Sequence, residues 1–381
     1  MKKIIILANV VWSIANFRKY LIEDLVREGY DVYCVADVDD FSLESVKQLE
    51  SYGAKFVSIK MNRKSMNPMF ELLYMIRLFL ILKRISPDVI LSYTIKPNIF
   101  GSFVARVLNI PQITTINGLG SVLLKNSWIS KLSLLLYKLA LKHPNIVLFQ
   151  NTDDLNYFID KKILSKEKML YVPGSGIKVS DFSDCKQNIK ETKTTFLLVA
   201  RLIADKGIYE YIQAAQSIIA TKQYNCEFLL AGHFDEGNPT AIKSTEVTQW
   251  VNDGTIRFLG KTDNITDFFI QADVIVLPSY REGLSRLLLE AAACQKPLIA
   301  TNVPGCKELI TDNINGFLCE PKDVDSLIDA MKKMLALSPL DYNSFGTHSQ
   351  QIVINDFAHS KVNSIYLKSI KSILHKGLQQ Q

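Results

Sequence analysis

Thirteen short apolar runs, alternating with stretches of helical periodicity, constrain this chain more than any other feature. Seven occupy the first half, at 3–8, 31–36, 54–60, 88–93, 111–116, 146–150 and 169–173. Six more follow at 194–200, 226–231, 255–259, 273–277, 297–301 and 316–319. Runs of this length with helical patterns between them read as strands in βαβ units, hence as parallel sheets. Residues 16–29 show the helical part: Phe17, Leu21, Ile22, Leu25 and Val26 share one face, and Gly29 suits the position just past a helix. Between the two sets, 178–193 is polar, lysine-rich and without periodicity, as a connection between domains would be. The expectation is an α/β protein of two doubly wound, Rossmann-like domains, 1–180 and 181–360, facing each other across a cleft. A last helix in 361–381 would pack back toward the first domain.

Composition narrows the class. At 381 residues, 48% hydrophobic and 22% charged, the chain is globular and long enough for two cores. Met1-Lys2-Lys3 runs straight into Ile4–Leu7, which reads as a first strand rather than a signal core. No run of 18 uncharged apolar residues predicts a membrane span. The six cysteines (34, 185, 226, 294, 306, 319) lack C-x-x-C and metal spacing, which fits a reduced, cytoplasmic protein. Charge is uneven. Residues 1–180 hold 24 Lys/Arg against 15 Asp/Glu, and 181–381 hold 20 against 23, so the first half is +9 and the second −3. A basic half with long apolar runs points to an anionic partner: a membrane surface, lipid phosphate or nucleic acid.

The richest segment is Pro278–Glu290, which leaves the run 273–277 and leads into Leu287-Leu288-Leu289-Glu290-Ala291-Ala292-Ala293. In an open α/β sheet, ligands bind outside the carboxyl ends of strands. This loop carries Glu282 and Glu290, eight residues apart, with Gly283 beside the first. Eight helical residues span on the order of 10 Å, about the reach from a sugar across a diphosphate to a ribose. A helix start between the two acids would offer free amides and a positive dipole end to phosphate. Glu290 lies in a helix apolar nearly all round, where an unpaired carboxylate is costly. Ribose hydroxyls would satisfy it, while Glu282 would accept from sugar hydroxyls and the amides of Gly283, Leu284 and Ser285 would meet phosphate or hexose oxygens. A second cluster follows the run 194–200, where Arg201 and Lys206 stand five residues apart around a turn. Aimed at one diphosphate, a guanidinium fork and an ammonium would stabilise it as a leaving group.

On these residues the chain resembles a retaining glycosyltransferase of family 4, with the GT-B fold. The resemblance is carried by Arg201 with Lys206, by Glu282-x7-Glu290, and by Gly232–Pro239 and Val303–Glu308. Asn315-Gly316-Phe317, Ser92–Asn98 and Thr115–Gly120 extend it over nearly the whole chain. It implies that Arg201 and Lys206 bind the donor diphosphate, Glu290 the ribose, Glu282 the sugar, and backbone near Gly260-Lys261 the base. It also implies a front-face reaction with retention, in which the departing phosphate helps deprotonate the acceptor. The matching subgroup extends bacterial polysaccharides or lipid-linked oligosaccharides. Two departures stand out: Asn9–Asn16 lacks the paired glycines of many relatives, and Asn117 precedes Gly118 where many have a histidine. Asn117 is the candidate to replace that contact. Asn16, Arg18 and Lys96, expected on loops at or just past strand ends, are candidate acceptor contacts.

Asp37-Val38-Asp39 imitates a metal-binding triad but closes a strand far from the donor residues, so no metal is expected and the only small molecule required is the UDP-sugar substrate. Cys294 and Cys306 read as packing residues. Residues 125–142 repeat lysine at 125, 131, 138 and 142 beside Trp128 and leucines, and 63–84 set Arg63, Lys64, Arg77, Lys83 and Arg84 around an apolar helix. Both suit an interfacial helix on anionic lipid. The resulting expectation is a hexosyltransferase moving a hexose or N-acetylhexosamine from a UDP-sugar to a lipid-carrier-linked saccharide, peripheral on the inner face of the cytoplasmic membrane and without a nucleic-acid partner. A UDP-sugar 2-epimerase of the same fold, or an inactive sugar-nucleotide-binding partner, are the alternatives.

Overall fold

A computed structural model of the chain describes residues 1–38, 42–62, 67–119, 128–183, 185, 193–262 and 264–378. They fall into two compact units: Met1–Gly176 with His359–Gln381, and Ile177–Ala358. The first begins β1 (Lys3–Val10), α1 (Val11–Phe17), α2 (Lys19–Arg27), β2 (Asp31–Asp37), α3 (Ser42–Ser51), β3 (Lys55–Ser58) and α4 (Pro68–Ile85). It continues β4 (Val89–Tyr93), α5 (Ile95–Val107), β5 (Gln112–Ile116), α6 (Trp128–Ala140), β6 (Ile146–Phe149), α7 (Thr152–Asp160) and β7 (Met169–Tyr171). The second unit holds β8 (Thr194–Val199), α8 (Ile208–Thr221), β9 (Cys226–Ala231), α9 (Ser244–Asn252), β10 (Arg257–Phe258) and α10 (Thr266–Phe269). After them come β11 (Val274–Leu277), α11 (Arg286–Ala293), β12 (Leu298–Thr301), β13 (Gly316–Cys319), α12 (Val324–Leu335) and α13 (Pro339–Ile352). The last helix, α14 (His359–Leu378), returns to the first unit.

All thirteen strands lie where the apolar runs predict them, and every pair is parallel. The first sheet runs β3-β2-β1-β4-β5-β6-β7 and the second β10-β9-β8-β11-β12-β13. Parallel strands covered on both faces read as continuous apolar runs. Accordingly Ile4, Ile5, Ile6 and Leu7 are all 0% exposed. They register against Val32–Val35 on one side and Val89–Ser92 on the other. Alternate residues feed two cores: Ile4 and Ile6 join Leu21, Leu25 and Tyr366, while Ile5 and Leu7 join Tyr74, Leu78 and Leu82 of α4.

Local chemistry sets the ends of several elements. Asn67 caps α4 through the amide of Met69, Pro68 opens its first turn, and Ser86 closes it in the left-handed region. Asp323 and Ser338 cap α12 and α13 in the same way.

Three boundaries differ from the sequence expectation. The units divide at 176/177 and 358/359 rather than at 180/181 and 360/361. The stretch taken as a connection is in part core: Ile177, Phe182 and Cys185 are buried within the second unit, and Ile177 N–H donates to Phe357 O at 3.1 Å. Residues 184 and 186–192 of that stretch lie outside those described. Finally, the single helix expected over 16–29 is two, α1 and α2, broken at Arg18, where φ is −125°. Helix α14 buries Val362, Tyr366 and Ile370 against the first sheet. Tyr366 OH lies 3.0 Å from Thr115 Oγ1, Asn363 donates to Asp24 at 2.6 Å, and Lys371 pairs with Glu28 at 2.6 Å.

Candidate active site

In the second sheet the chain leaves β8 toward β9 on one side and β11 toward β12 on the other, so the gap between β8 and β11 is its topological switch point. The loops after these two strands interlock. Gly207 has φ +73°, and a Cβ there would lie 2.0 Å from Pro278 O, so only glycine lets the loops meet. Tyr280 N–H then donates to Asp205 O at 2.9 Å, and Ser279 Oγ–H to the same carbonyl at 3.3 Å. The outcome is direct contact between two of the three side chains expected to carry the chemistry: Lys206 Nζ is ion-paired to Glu282 Oε1. Both are largely buried, at 18% and 16% side-chain exposure, so their attraction is less screened than at a surface.

The loop after β12 braces this pair. Gly305 has φ +81°, and a Cβ there would sit 2.6 Å from the carbonyl carbon of Glu282. Glu282 N–H donates to Pro304 O at 3.0 Å, and Ser285 N–H to Gly305 O at 2.7 Å. Glu308 accepts from Gly305 N–H at 2.8 Å. The quoted segment Val303–Glu308 thus holds the backbone of Glu282. Behind it lies Cys306, fully buried; burial, with Glu282 close by, pushes its thiol well up. It stays a neutral packing residue, as does Cys294.

Other expected residues stand differently. Arg201 is ion-paired at 3.2 Å with Asp235, a residue of the loop after β9, and is half exposed. Glu290 is not left for a ribose alone: Arg286 Nε donates to it at 2.6 Å. The expectation of an unpaired carboxylate overlooked the residue one helical turn earlier, although i,i+4 spacing makes such a pair legible in sequence. Ser285 does not offer a free amide, since its N–H goes to Gly305 and its Oγ caps α11 by accepting from Leu288 N–H at 3.3 Å. Leu284 packs against the core. Gly283 and Lys261 have interactions of their own. Gly260, at φ +71°, accepts from Gly232 N–H at 2.7 Å, which ties the loops after β9 and β10.

In the first unit the candidate acceptor residues separate. Asn16 is inside α1, exposed, with its amide donating to Trp12 O at 2.9 Å. Lys96 lies in the first turn of α5, paired with the buried Glu71 and donating to Asn62 O at 2.6 Å. Neither sits on a loop, and the ammonium of Lys96 already has an acid; the unexpected element is Glu71, brought from α4 by tertiary packing. Asn117 follows β5, and its Oδ1 is buried without a hydrogen-bond partner among the described residues. Arg18 is only 4% exposed and stacks over the Tyr93 ring at 3.9 Å. Among the described residues no three His, Cys, Asp or Glu side chains gather as metal ligands would.

Such an arrangement, cations and a carboxylate at the switch point of one of two parallel sheets, defines a GT-B fold with a candidate sugar-nucleotide site. Comparison with known proteins carries this further. Residues 179–350 match the model "Glycosyl transferases group 1" and residues 3–151 match "Glycosyl transferase 4-like". The chain belongs to the family-4 type of glycosyltransferases. It is 27% identical to the N,N'-diacetylbacillosaminyl-diphospho-undecaprenol alpha-1,3-N-acetylgalactosaminyltransferase of Campylobacter jejuni, over 87% of this chain and 89% of that protein. It is 24% identical to the UDP-Gal:alpha-D-GlcNAc-diphosphoundecaprenol alpha-1,3-galactosyltransferase of Escherichia coli, over 78% and 79%. Among solved structures, Anabaena HepE in complex with UDP and glucose superposes with a TM-score of 0.77 at 16% identity, over 98% of this chain and 100% of that one.

Proposed function

We propose that this glycosyltransferase moves a hexose or N-acetylhexosamine from a UDP-sugar, with retention of anomeric configuration, to a saccharide carried on a lipid diphosphate. The observation that carries the reading is the Lys206–Glu282 pair at the β8/β11 switch point. Lys206 would turn toward the donor diphosphate, with Arg201 adding a second cation as charge builds on the leaving group. Glu282, its backbone held by the Gly305 loop, would accept from hydroxyls of the transferred sugar. Glu290 would meet the ribose in company with Arg286, and backbone at Gly260-Lys261 would border the base. The substrate class draws support from relatives whose named substrates are undecaprenyl-diphosphate-linked sugars. Two cations on the diphosphate would make turnover independent of added metal, and EDTA should leave the rate unchanged.

The first unit would work at an anionic membrane surface. Supporting this is the apolar face of α4, where Leu72, Leu73, Ile76 and Leu80 are 40–60% exposed beside Arg77, Lys83 and Arg84. On α6, Leu132, Leu135 and Leu139 are exposed with Lys131 and Lys138. Surface leucines interleaved with cations suit a bilayer interface better than water. Among the described residues no helix is long and apolar enough to cross a membrane. Arg63, Lys64 and Lys125 of the two basic stretches lie outside those described.

The deciding experiment incubates the enzyme with a panel of UDP-sugars, with and without undecaprenyl-diphosphate-linked monosaccharides, and follows UDP and the new glycosidic bond. Acceptor-dependent UDP release, with an anomeric coupling constant matching the donor, is the expected result. Interconversion of UDP-sugars without acceptor would overturn the reading in favour of an epimerase.

A further inference from the structure

The first sheet has its own switch point, between β1 and β4, and it holds a cation with no carboxylate partner among the described residues. Arg18 closes α1 just beyond β1, and its guanidinium lies 3.9 Å over the ring of Tyr93, the last residue of β4. It is 4% exposed, and among the described residues its side chain makes one hydrogen bond, a long 3.4 Å donation to Phe17 O. Among the described residues no carboxylate pairs with it. Asp24 of the adjoining α2 is used by Arg27 and Asn363, and Glu28 just past that helix by Lys371, while Glu23 of α2 forms no ion pair with Arg18 among the described residues. The carboxyl end of α1 supplies about half a negative charge, and the Tyr93 face adds a cation–π contact. Neither replaces an anion, and a buried unpaired charge is costly.

Next to it the backbone is strained. Thr94, a β-branched residue, has φ +69°, outside the regions such residues ordinarily occupy, directly after the strand on which Arg18 stacks. Strain of this kind persists where surrounding structure over-determines it, and it gathers at ligand sites. A crevice of about 220 Å³ opens at these strand ends, lined by Asn9, Met61, Thr94, Ile95 and Lys96, with Arg18 outside its lining. Lys96 there is neutralised by Glu71, which among the described residues leaves Arg18 as the cation of the switch point without a paired carboxylate.

We infer that Arg18 is the anion anchor of the first unit, taking the diphosphate of the lipid-linked acceptor. The inference rests on the proposed acceptor class and names the atoms that class presents to this unit. A guanidinium held flat by an aromatic ring presents its remaining N–H groups in one plane, the geometry that matches phosphate oxygens bidentately. The diphosphate of the UDP-sugar has the same chemistry, so the test must separate the two sources.

Wild-type enzyme, R18K and R18Q are titrated calorimetrically, in detergent, with geranylgeranyl diphosphate, geranylgeraniol and UDP. Wild type should bind the prenyl diphosphate and not the alcohol. In R18Q that affinity should fall about tenfold or more, with R18K between the two, as loss of a charge-assisted bidentate contact predicts. UDP affinity should stay within about twofold. Near-UV circular dichroism confirms the fold; if R18Q does not fold, R18K alone carries the comparison, and it must weaken prenyl diphosphate binding while sparing UDP. Unchanged prenyl diphosphate binding in a folded variant, no binding by the wild type, or a loss confined to UDP would each overturn the assignment. An enzyme that binds prenyl diphosphate through Arg18 yet transfers sugar to no lipid-linked acceptor would instead sink the proposed function and leave this site standing.

Discussion

At the scale of single residues, Lys206 and Glu282 act as a unit. Lys206→Ala and Glu282→Ala should each lower kcat/KM by about 10²–10³, the usual loss when a preorganised electrostatic group is removed. Because each is the other's partly buried partner, their effects on stability should not add. A double-mutant cycle by urea unfolding should return a coupling of roughly 0.5–3 kcal/mol, and a value of zero would mean that the pair does not persist in solution. Gly305→Ala tests the brace behind them. Its new Cβ would strike the Glu282 backbone at 2.6 Å in a left-handed conformation, so it should cost about 1–3 kcal/mol and slow turnover together. The thiols offer a further check. Burial raises Cys34, Cys294 and Cys306 well above the ordinary range and Cys319 to about 12. Iodoacetamide at neutral pH should spare these four until the protein unfolds; rapid alkylation of Cys306 in the native enzyme would contradict its buried place beside Glu282. Lys206, Glu282, Arg201 and Glu290 stand out in the sequence as candidates, because their types and spacing suit diphosphate and hydroxyl chemistry. The acids that pair with Arg201 and Lys96, Asp235 and Glu71, are not legible there, because ion pairs across 34 and 25 residues exist only once strands and helices are packed.

At the scale of elements, α14 is the most informative. It is last in sequence yet belongs to the core around β1, β4 and β5. Tyr366 is 0% exposed with its hydroxyl on Thr115, so Tyr366→Phe should cost about 0.5–1.5 kcal/mol. Tyr366→Ala should cost about 3–5 kcal/mol, as other buried aromatic truncations do, and equal losses in the two variants would mean that the ring contributes little. The amphipathic pattern of this helix is plain in sequence; which sheet it covers is not, because an apolar stripe fits any complementary core. The same limit explains the missed break at Arg18. Periodicity places apolar faces, but α1 and α2 are separated by one residue whose side chain has been drawn onto Tyr93.

At the scale of the whole molecule, the units carry separate cores but unequal claims to independence. Ile177–Ala358 is one continuous stretch, whereas the first unit needs α14 from the far end of the chain. A fragment of 177–358 should unfold cooperatively by itself, while 1–176 without α14 should lack a sharp thermal transition; a cooperative 1–176 would show that α14 is dispensable. Acid should weaken the second unit in a defined window. Burial raises the Glu227 carboxyl, but its bonds with Lys193 and Thr195, with Arg257 nearby, bring it below its usual 4.5. A lowered folded value means that this contribution is full above about 4.5 and is lost as pH falls through the folded value. Glu227→Gln should flatten that part of the stability–pH curve by no more than about 1 kcal/mol, since the pair is near the surface. Membrane docking is also tested at this scale: anionic vesicles should carry the wild type in flotation, and Ile76→Glu with Leu80→Glu should release it.

What this sequence determined by itself was the list of strands, their parallel sense and the residues suited to a sugar-nucleotide. Each follows from local patterns: continuous apolar runs, helical crossovers, and acids and bases set just past strand ends. Only the tertiary structure decided that Arg201 and Lys96 are already spent, on Asp235 and Glu71, and that Arg18 has no carboxylate partner among the described residues. Whether a buried charge has a partner depends on distances between side chains far apart along the chain, and no local pattern encodes those.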